Sequence, residues 1–483
     1  MVYLKFKETV MRQDFQLIKP RFIPPLDSGF RPAVLANRAF QSAVIQAGGV
    51  PLIFGVEQLN GVISRFETRV FPTGHPQAGA NLAYAERLFK FLLWQRGGWR
   101  VYVGGPLEIG AALQALYAPG GAREFDYHFM SEDVYERPFT IIPCAPEDVP
   151  PARESGRPLG RHLEGYRIGF DLGASDRKVS AVVDGEPIYS EEVVWEPAIH
   201  SDPEYHYREI MASLRAAAAK LPRVDAIGGS AAGIYVDNQV RVASLFRGVP
   251  KDHYSKIRTL FLRIRNEMGA PLEMVNDGDV TALAGAMSLE DDGVLGIALG
   301  SSQAAGYVAV DGTITGWLNE LAFVPVDYNP DATVDEWSGD RGVGASYFSQ
   351  QCVFRLALHA GITLPENVTP AVKLKFVQEK LEAGHASAWQ IWETMGVYMG
   401  YAIAHYADFY DLRHVLILGR CTSGSGGQLI LDGANMVLNA EFPELAARIH
   451  IQLPDEKSRR VGQSIAAASL PAIGDQGLGT GNR

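Results

Sequence analysis

The sequence predicts an α/β protein in which one sheet-and-helix domain occurs twice. Three observations carry this. A stretch rich in proline, charge and glycine, "PCAPEDVPPARESGRPLG" (143–160), separates two segments of ordinary apolar patterning. Beyond it, short apolar strands joined by tight turns alternate with helical stretches. Finally, "IGFDLGASDRKVSAVVDG" (168–185) lies without a gap over "LGIALGSSQAAGYVAVDG" (295–312). Gly169, Leu172, Gly173, Ser175, Val183, Asp184 and Gly185 meet identical residues 127 positions on.

In chain order, "PLIFGVEQLNGVISRFETRVF" reads as strand, turn, strand, and "AERLFKFLLWQRGG" as a helix stopped by Gly97 and Gly98. Residues 1–150 therefore form an α/β extension, and 151–165 a linker. "YRIGFDLG", "KVSAVVDG" and "EPIYSEEVVW" are three strands on tight turns, followed by the helix "YREIMASLRAAAAKL". The strand "VDAIGGSAAGIYV", the helix "YSKIRTLFLRIRNEMG", the strand "LEMVND" and the helix "VTALAGAMSL" complete a first lobe, 166–290. The second lobe, 291–483, opens on the repeated hairpin. It closes on "RRVGQSIAAASLP", a small-residue helix expected to pack closely on its neighbours.

Composition narrows the function classes. The 483 residues exceed one ordinary core. No apolar run approaches the 18 or so residues of a membrane span, so no membrane association is expected. The start "MVYLKFKETVMRQDF" lacks the apolar block of a secretory leader, and a cytoplasmic location is expected. The net charge of −11, without a Lys/Arg run, argues against a nucleic-acid partner. Cys144, Cys352 and Cys421 stand far apart, with no CxxC pair. There is also no GxxxxGK, which excludes a P-loop enzyme.

An aspartate before a glycine turn can simply close that turn. The duplication gives Asp171 a second use. Paired hairpin turns can point backbone N–H groups and small hydroxyls at phosphate oxygens. Gly173 and Gly300 let the backbone come close, and Ser175, Ser301 and Ser302 add donors. Beside a polyphosphate, Asp171 can hold Mg²⁺ through water.

Four segments, in order, resemble the ROK family of the actin-like (ribonuclease H-like) ATPase superfamily, which contains bacterial sugar kinases and sugar-responsive repressors. "GFDLGASDRK" is similar to the first phosphate loop, "VNDGDVTALAGA" to the catalytic Asn-Asp motif, "GIALGSSQAAGYVAVDG" to the second phosphate loop, and "LILGRCTSGSGGQLIL" to the adenosine segment. The resemblance covers residues 166 to about 472. It implies duplicated actin-like domains that use ATP and Mg²⁺ and take a small sugar as partner. Asp277 would be the general base, Asn276 and Glu320 would bind sugar hydroxyls, and Gly419, Gly424, Gly426 and Gly427 would line adenine and ribose. Asn276-Asp277 also suits a helix N-cap.

The sequence departs from that family in four places. "NELAF" puts Ala322 and Phe323 where the family has Gly-His, and "SGDRGVGASYFSQQ" has no cysteine where the family binds zinc, so no zinc site is expected. In "GSSQAAG", Ser302, Gln303 and Ala304 replace a glycine-rich run. "GASDRK" is longer than the family's first loop, which leaves Lys178 either facing phosphate or pointing outward. The extension has no basic recognition helix of a DNA-binding repressor; its Arg, Glu and Trp residues suit a lid or a homodimer surface. The expected function is an ATP-dependent carbohydrate kinase. The alternative is a non-catalytic sugar-binding sensor on the same scaffold, with a polymerising or chaperone-like ATPase third.

Overall fold

The computed structural model describes residues 15–154, 159–454 and 456–473. The stretch read for a leader lies outside the described residues except for Phe15, as do residues 155–158 of the linker. The chain divides into two compact units. The first holds residues up to 154 with Ile297–Ala304 and Trp317–Leu453, and the second holds 159–296, Ala305–Gly316 and the stretch from Pro454 onward. The extension is thus grouped with later residues rather than standing apart.

The N-terminal part of the first unit is a four-stranded sheet. Strands β1 (Val50–Glu57) and β2 (Ile63–Val70) form the expected antiparallel hairpin; β3 (Arg100–Gly104) runs antiparallel to β1 and β4 (Thr140–Cys144) parallel to β3, giving the order β2-β1-β3-β4. The helix Asn81–Arg96 is buried along nearly its whole length, charged residues included. It ends where expected, because Gly97 adopts φ 74°, which suits a residue without a β-carbon.

The second unit carries a five-stranded sheet. Strands β5 (Tyr166–Leu172), β6 (Asp176–Val183) and β7 (Glu186–Val194) form an antiparallel meander, and β8 (Ala226–Ala231) and β11 (Leu272–Asn276) add parallel to β5. The order β11-β8-β5-β6-β7 is the ribonuclease H-like arrangement. The strand expected over "VDAIGGSAAGIYV" breaks at Gly233 (φ 136°). Beyond it, β9 (Ile234–Val236) pairs with β10 (Gln239–Val242) as a separate hairpin. Along β5, Ile168, Phe170 and Leu172 face one core with Ile210 and Leu214 of helix Pro203–Ala218 and Phe261 and Ile264 of helix Leu260–Met268. Each such side chain contributes about 2 kcal/mol by leaving water. The alternate residues, Gly169 and Asp171, face the other side.

That other face receives the helix Glu456–Ala468, which the linear division had given to the second lobe. The reason is steric: a β-carbon on Gly169 would collide with the Ser464 carbonyl, and one on Gly228 with the Ala467 carbonyl. The small-residue helix is core, as expected, with Ala466, Ala467, Ala468 and Leu470 buried.

The repeated hairpin is β12 (Val294–Leu299) and β13 (Gln303–Val308). The 127-residue offset carries the end of β5, Leu172, onto the end of β12, Leu299, and the start of β6 onto the start of β13. The third strand of the meander is not repeated; Ile314 forms a single bridge with Val308. With β14 (His414–Leu418) and β15 (His450–Gln452), the order is β13-β12-β14-β15.

Candidate active site

In the second unit, the residues singled out by chemistry gather at the carboxyl ends of the parallel strands β5, β8 and β11, where open α/β sheets bind ligands. Asp171 lies one residue from the end of β5. In register it stands between Ser230 of β8 and Lys178 of β6. The Ser230 hydroxyl donates to Asp171 Oδ1 at 2.5 Å. Burial raises the Asp171 carboxyl above its ordinary pKa, while Ser230 and Lys178 oppose that rise. Lys178, left open by the sequence, is therefore a cation beside Asp171; it also pairs with Asp176 at 3.5 Å.

Asn276 and Asp277 follow β11 directly. The helix Asp277–Leu289 begins there because Asn276 caps it: its Oδ1 accepts from the Gly278 amide at 2.7 Å. Asn276 Nδ2 donates to the Gly233 carbonyl at 2.8 Å. Both ends of the Asn276 amide are thus engaged within the chain, leaving one N–H and one lone pair for a ligand. Gly278 must be glycine, since a β-carbon would meet the Ala305 carbonyl.

The Asp277 carboxyl is pushed up to about 6, first by burial and then by the negative charge of Asp171; its bond from the Gly278 amide (3.0 Å) opposes the shift. Among the described residues neither carboxylate has an ion-pair partner. Tyr235, on β9, is a neighbour that sequence reasoning missed. Burial first, and the charges of Asp277 and Asp171 among other causes, hold its phenol well above the usual range. A tyrosine beside a strand break has no sequence signature of such a role, and Ser230 in "GGSAAG" has none either.

The turn after Asp171 is tight. The Gly173 amide donates to the Asp176 carbonyl at 2.8 Å, Trp195 Nε1 donates to the Gly173 carbonyl at 2.8 Å, and Ser175 is exposed with its hydroxyl on Asp176. The matching turn in the first unit is tighter by one residue, with the Gly300 amide on the Ser302 carbonyl at 3.0 Å. Ser301 and Ser302 are exposed. A β-carbon on Gly300 would make only ordinary contact, so the backbone face there is open. Gln303, which stands in place of a glycine of the family's run, turns into the core and donates to the Tyr406 hydroxyl at 3.2 Å.

Also in the first unit, three of the four adenosine-segment glycines answer to packing. Gly419 (φ 100°) abuts the Leu299 backbone, Gly426 the Trp392 indole and Gly427 the Thr422 carbonyl. Gly424 lines a recess of about 320 Å³ with Lys375, Gln378, Glu379, Glu382 and Ser423. Glu382, also missed from sequence, accepts from the Ser425 amide at 2.7 Å and hydroxyl at 2.9 Å, which hold its carboxyl below the usual range. Glu320 sits ahead of the short turn Leu321–Phe323, partly buried, its amide donating to the Trp94 carbonyl at 3.0 Å.

No protein-family model matches the chain, and no curated protein matches it. Solved structures do. A ROK family glucokinase from Streptomyces griseus, in complex with glucose and AMPPNP, is 20% identical over 63% of this chain and 99% of its own, with a TM-score of 0.45. A ROK hexokinase from Thermus thermophilus is 17% identical over 63% and 98%, at 0.48. A ROK family transcriptional regulator, a homolog of the E. coli MLC protein, is 17% identical over 64% and 79%, at 0.49. The chain resembles ROK structures. Kinases and a regulator stand side by side among them.

Fit to the expected groups can be judged from those residues. Two partly buried carboxylates that repel each other suit a hydrated Mg²⁺, which commonly takes one or two carboxylates along with substrate phosphates. The open Gly300 turn suits phosphate oxygens. Glu382 closes the start of helix Ser425–Glu441 to phosphate but suits ribose hydroxyls as an acceptor. Among the described residues no group of three or more His, Cys, Asp or Glu side chains is arranged to hold a metal.

Proposed function

We propose that this chain is an ATP-dependent carbohydrate kinase of the ROK kind. The observation that carries the proposal is the Asp171–Asp277 pair at the strand ends, with Asp277 pushed up to about 6. A base of that strength is mostly ionised at neutral pH yet basic enough to take a proton from an attacking hydroxyl. Asp277 accepts the sugar hydroxyl proton as the new O–P bond forms to the γ-phosphorus and the bond to ADP breaks. Asp171 would hold Mg²⁺ through water, and the ion would supply charge neutralisation on the phosphates. Lys178 adds a positive charge beside Asp171, Asn276 and Glu320 hold sugar hydroxyls, and Glu382 with Gly424 receives the ribose.

A non-catalytic sugar-binding role is the second reading, and Glu382 favours it. Its carboxylate occupies a helix start where phosphate would otherwise gain from backbone N–H groups.

The deciding experiment measures ADP release with Mg-ATP across hexoses, amino sugars, acetylated sugars and polyols, with Asp277→Asn in parallel. Sugar-dependent release in the native protein that falls about 10²-fold or more in the variant is expected. Full turnover in the variant removes Asp277 from the mechanism. Sugar that raises the melting temperature without stimulating release moves the chain to the second reading.

A further inference from the structure

The N-terminal segment makes a set of contacts that its fold alone does not require. The helix Asn81–Arg96 ends in carbonyls that have no partner within the helix. Two of them are capped by the corner that carries the candidate sugar ligand: the Asn319 amide donates to the Gln95 carbonyl at 2.8 Å, and the Glu320 amide to the Trp94 carbonyl at 3.0 Å. Asn319 is held in the left-handed region, φ 51°, a conformation that persists only where surroundings enforce it. Its side-chain oxygen accepts from the Tyr410 hydroxyl at 3.0 Å.

Side chains fix the same corner from either end. The Arg96 guanidinium lies 4.9 Å from the Trp317 ring centre. Leu318 fills the space that a side chain on Gly97 would take. The Phe323 ring, standing where the ROK pattern has a histidine, packs at 4.2 Å on Trp94 and at 5.7 Å on Phe125. Trp94 is itself tied down, its Nε1 donating to Asp126, which also binds Lys90. Every residue from Trp317 to Glu320, and Phe323 beyond, touches the end of one helix.

We infer that the end of helix Asn81–Arg96, through Trp94, Gln95 and Gly97, is the positioning element that fixes Glu320 toward a neutral polyol substrate. Resting on the kinase reading for Glu320, this assigns the N-terminal segment a part in substrate selection. Selection by a carboxylate that accepts from hydroxyls depends on where that carboxylate is held, because an acceptor misplaced by an ångström no longer meets its donor.

Two measurements test it. Amide hydrogen exchange on the native protein without sugar is expected to show strong protection over residues 317–321; rapid exchange there overturns the inference whatever the activity. Sugar and nucleotide affinities are then measured by calorimetry for the native protein, Glu320→Gln, Trp94→Phe and Phe323→Leu, using the sugar that stimulates ADP release most. Glu320→Gln is expected to lose at least tenfold in sugar affinity. Trp94→Phe and Phe323→Leu are expected to lose about threefold to tenfold, with nucleotide affinity unchanged. Unchanged sugar affinity in both, alongside a damaged Glu320→Gln, overturns the inference and leaves the kinase reading intact. A native protein that binds no sugar overturns both, and equal loss of sugar and nucleotide affinity marks a general structural role instead.

Discussion

Two clusters of buried charge, one in each unit, are built on opposite plans. In the first unit Glu86, Arg87, Lys90, Arg123, Asp126 and Asp340 interlock: Arg87 meets Asp340 at 3.0 Å, Lys90 meets Asp126 at 2.6 Å, and Arg123 meets both Glu86 and Asp340 at 2.6 Å. Three acids face three bases. In the second unit Asp171 and Asp277 stand at the ends of β5 and β11, the charge of Asp171 adding to the rise of the Asp277 carboxyl, with Lys178 as the cation beside Asp171. Low-dielectric surroundings make an unbalanced charge costly, so a balanced cluster can serve structure alone. The unbalanced pair needs something from outside the chain, a cation or a proton. That difference is why the second cluster is assigned the chemistry and the first is not.

Breaking the balance of the first cluster should have the largest effect on stability. Burial alone would raise the Asp340 carboxyl, but Arg87 and Lys90 outweigh it and hold it below its ordinary value. Asp340→Asn strands the surplus positive charge among buried residues. A loss of about 3–5 kcal/mol in denaturant unfolding is expected. An exposed pair such as Arg65–Glu67, broken by Glu67→Gln, should cost no more than about 1 kcal/mol. A loss below about 1 kcal/mol for Asp340→Asn would mean that the cluster is not interdependent.

The same substitution in the second cluster should act with the opposite sign. An acid whose folded pKa is raised destabilises the fold when ionised, and that cost is absent below its unfolded value. For Asp277 the window runs from 3.8 to about 6: the cost grows as pH rises through it and is complete above. Asp277→Asn should therefore stabilise the protein by about 1–3 kcal/mol above pH 6. The gain should vanish near pH 4. Sugar-dependent turnover of the native protein should fall below pH 6 as Asp277 takes up its proton. A variant no more stable than the native protein at pH 8 would place Asp277 in an ordinary, solvated setting.

How much of this was legible depended on whether the signal was local. The β5–β6 hairpin, its repeat 127 residues on, the helix stop at Gly97 and the cap at Asn276 all follow from short-range turn and cap chemistry, and all are present. Asp171 was visible through the repeated hairpin, and Asp277 through the resemblance of "VNDGDVTALAGA" to the ROK Asn-Asp motif. What escaped was long-range pairing. Asp340, in the loop read only for its missing cysteines, reaches Arg87 across 253 residues, and Phe323 reaches Trp94 across a somewhat smaller part of the chain. No short window on the sequence joins such residues. The adenosine-segment glycines show the converse: Gly419, Gly426 and Gly427 also answer to packing neighbours that the sequence does not name.

Lys178 gives the smallest test and the finest one. Its ammonium is about a third exposed, so its attraction to Asp171 and Asp176 is screened and contributes little to folding. Lys178→Met should accordingly leave unfolding within about 0.5 kcal/mol of the native protein. If Lys178 faces the phosphates, the same change should weaken Mg-nucleotide binding by about threefold to tenfold, as loss of one partly screened charge contact does. Calorimetry with and without Mg²⁺ separates the alternatives. Weakening in both conditions makes Lys178 a phosphate contact, and weakening only with Mg²⁺ makes it a support for Asp171. No change in either returns Lys178 to the strand surface and leaves Asp171 to hold the metal without a cationic neighbour that matters.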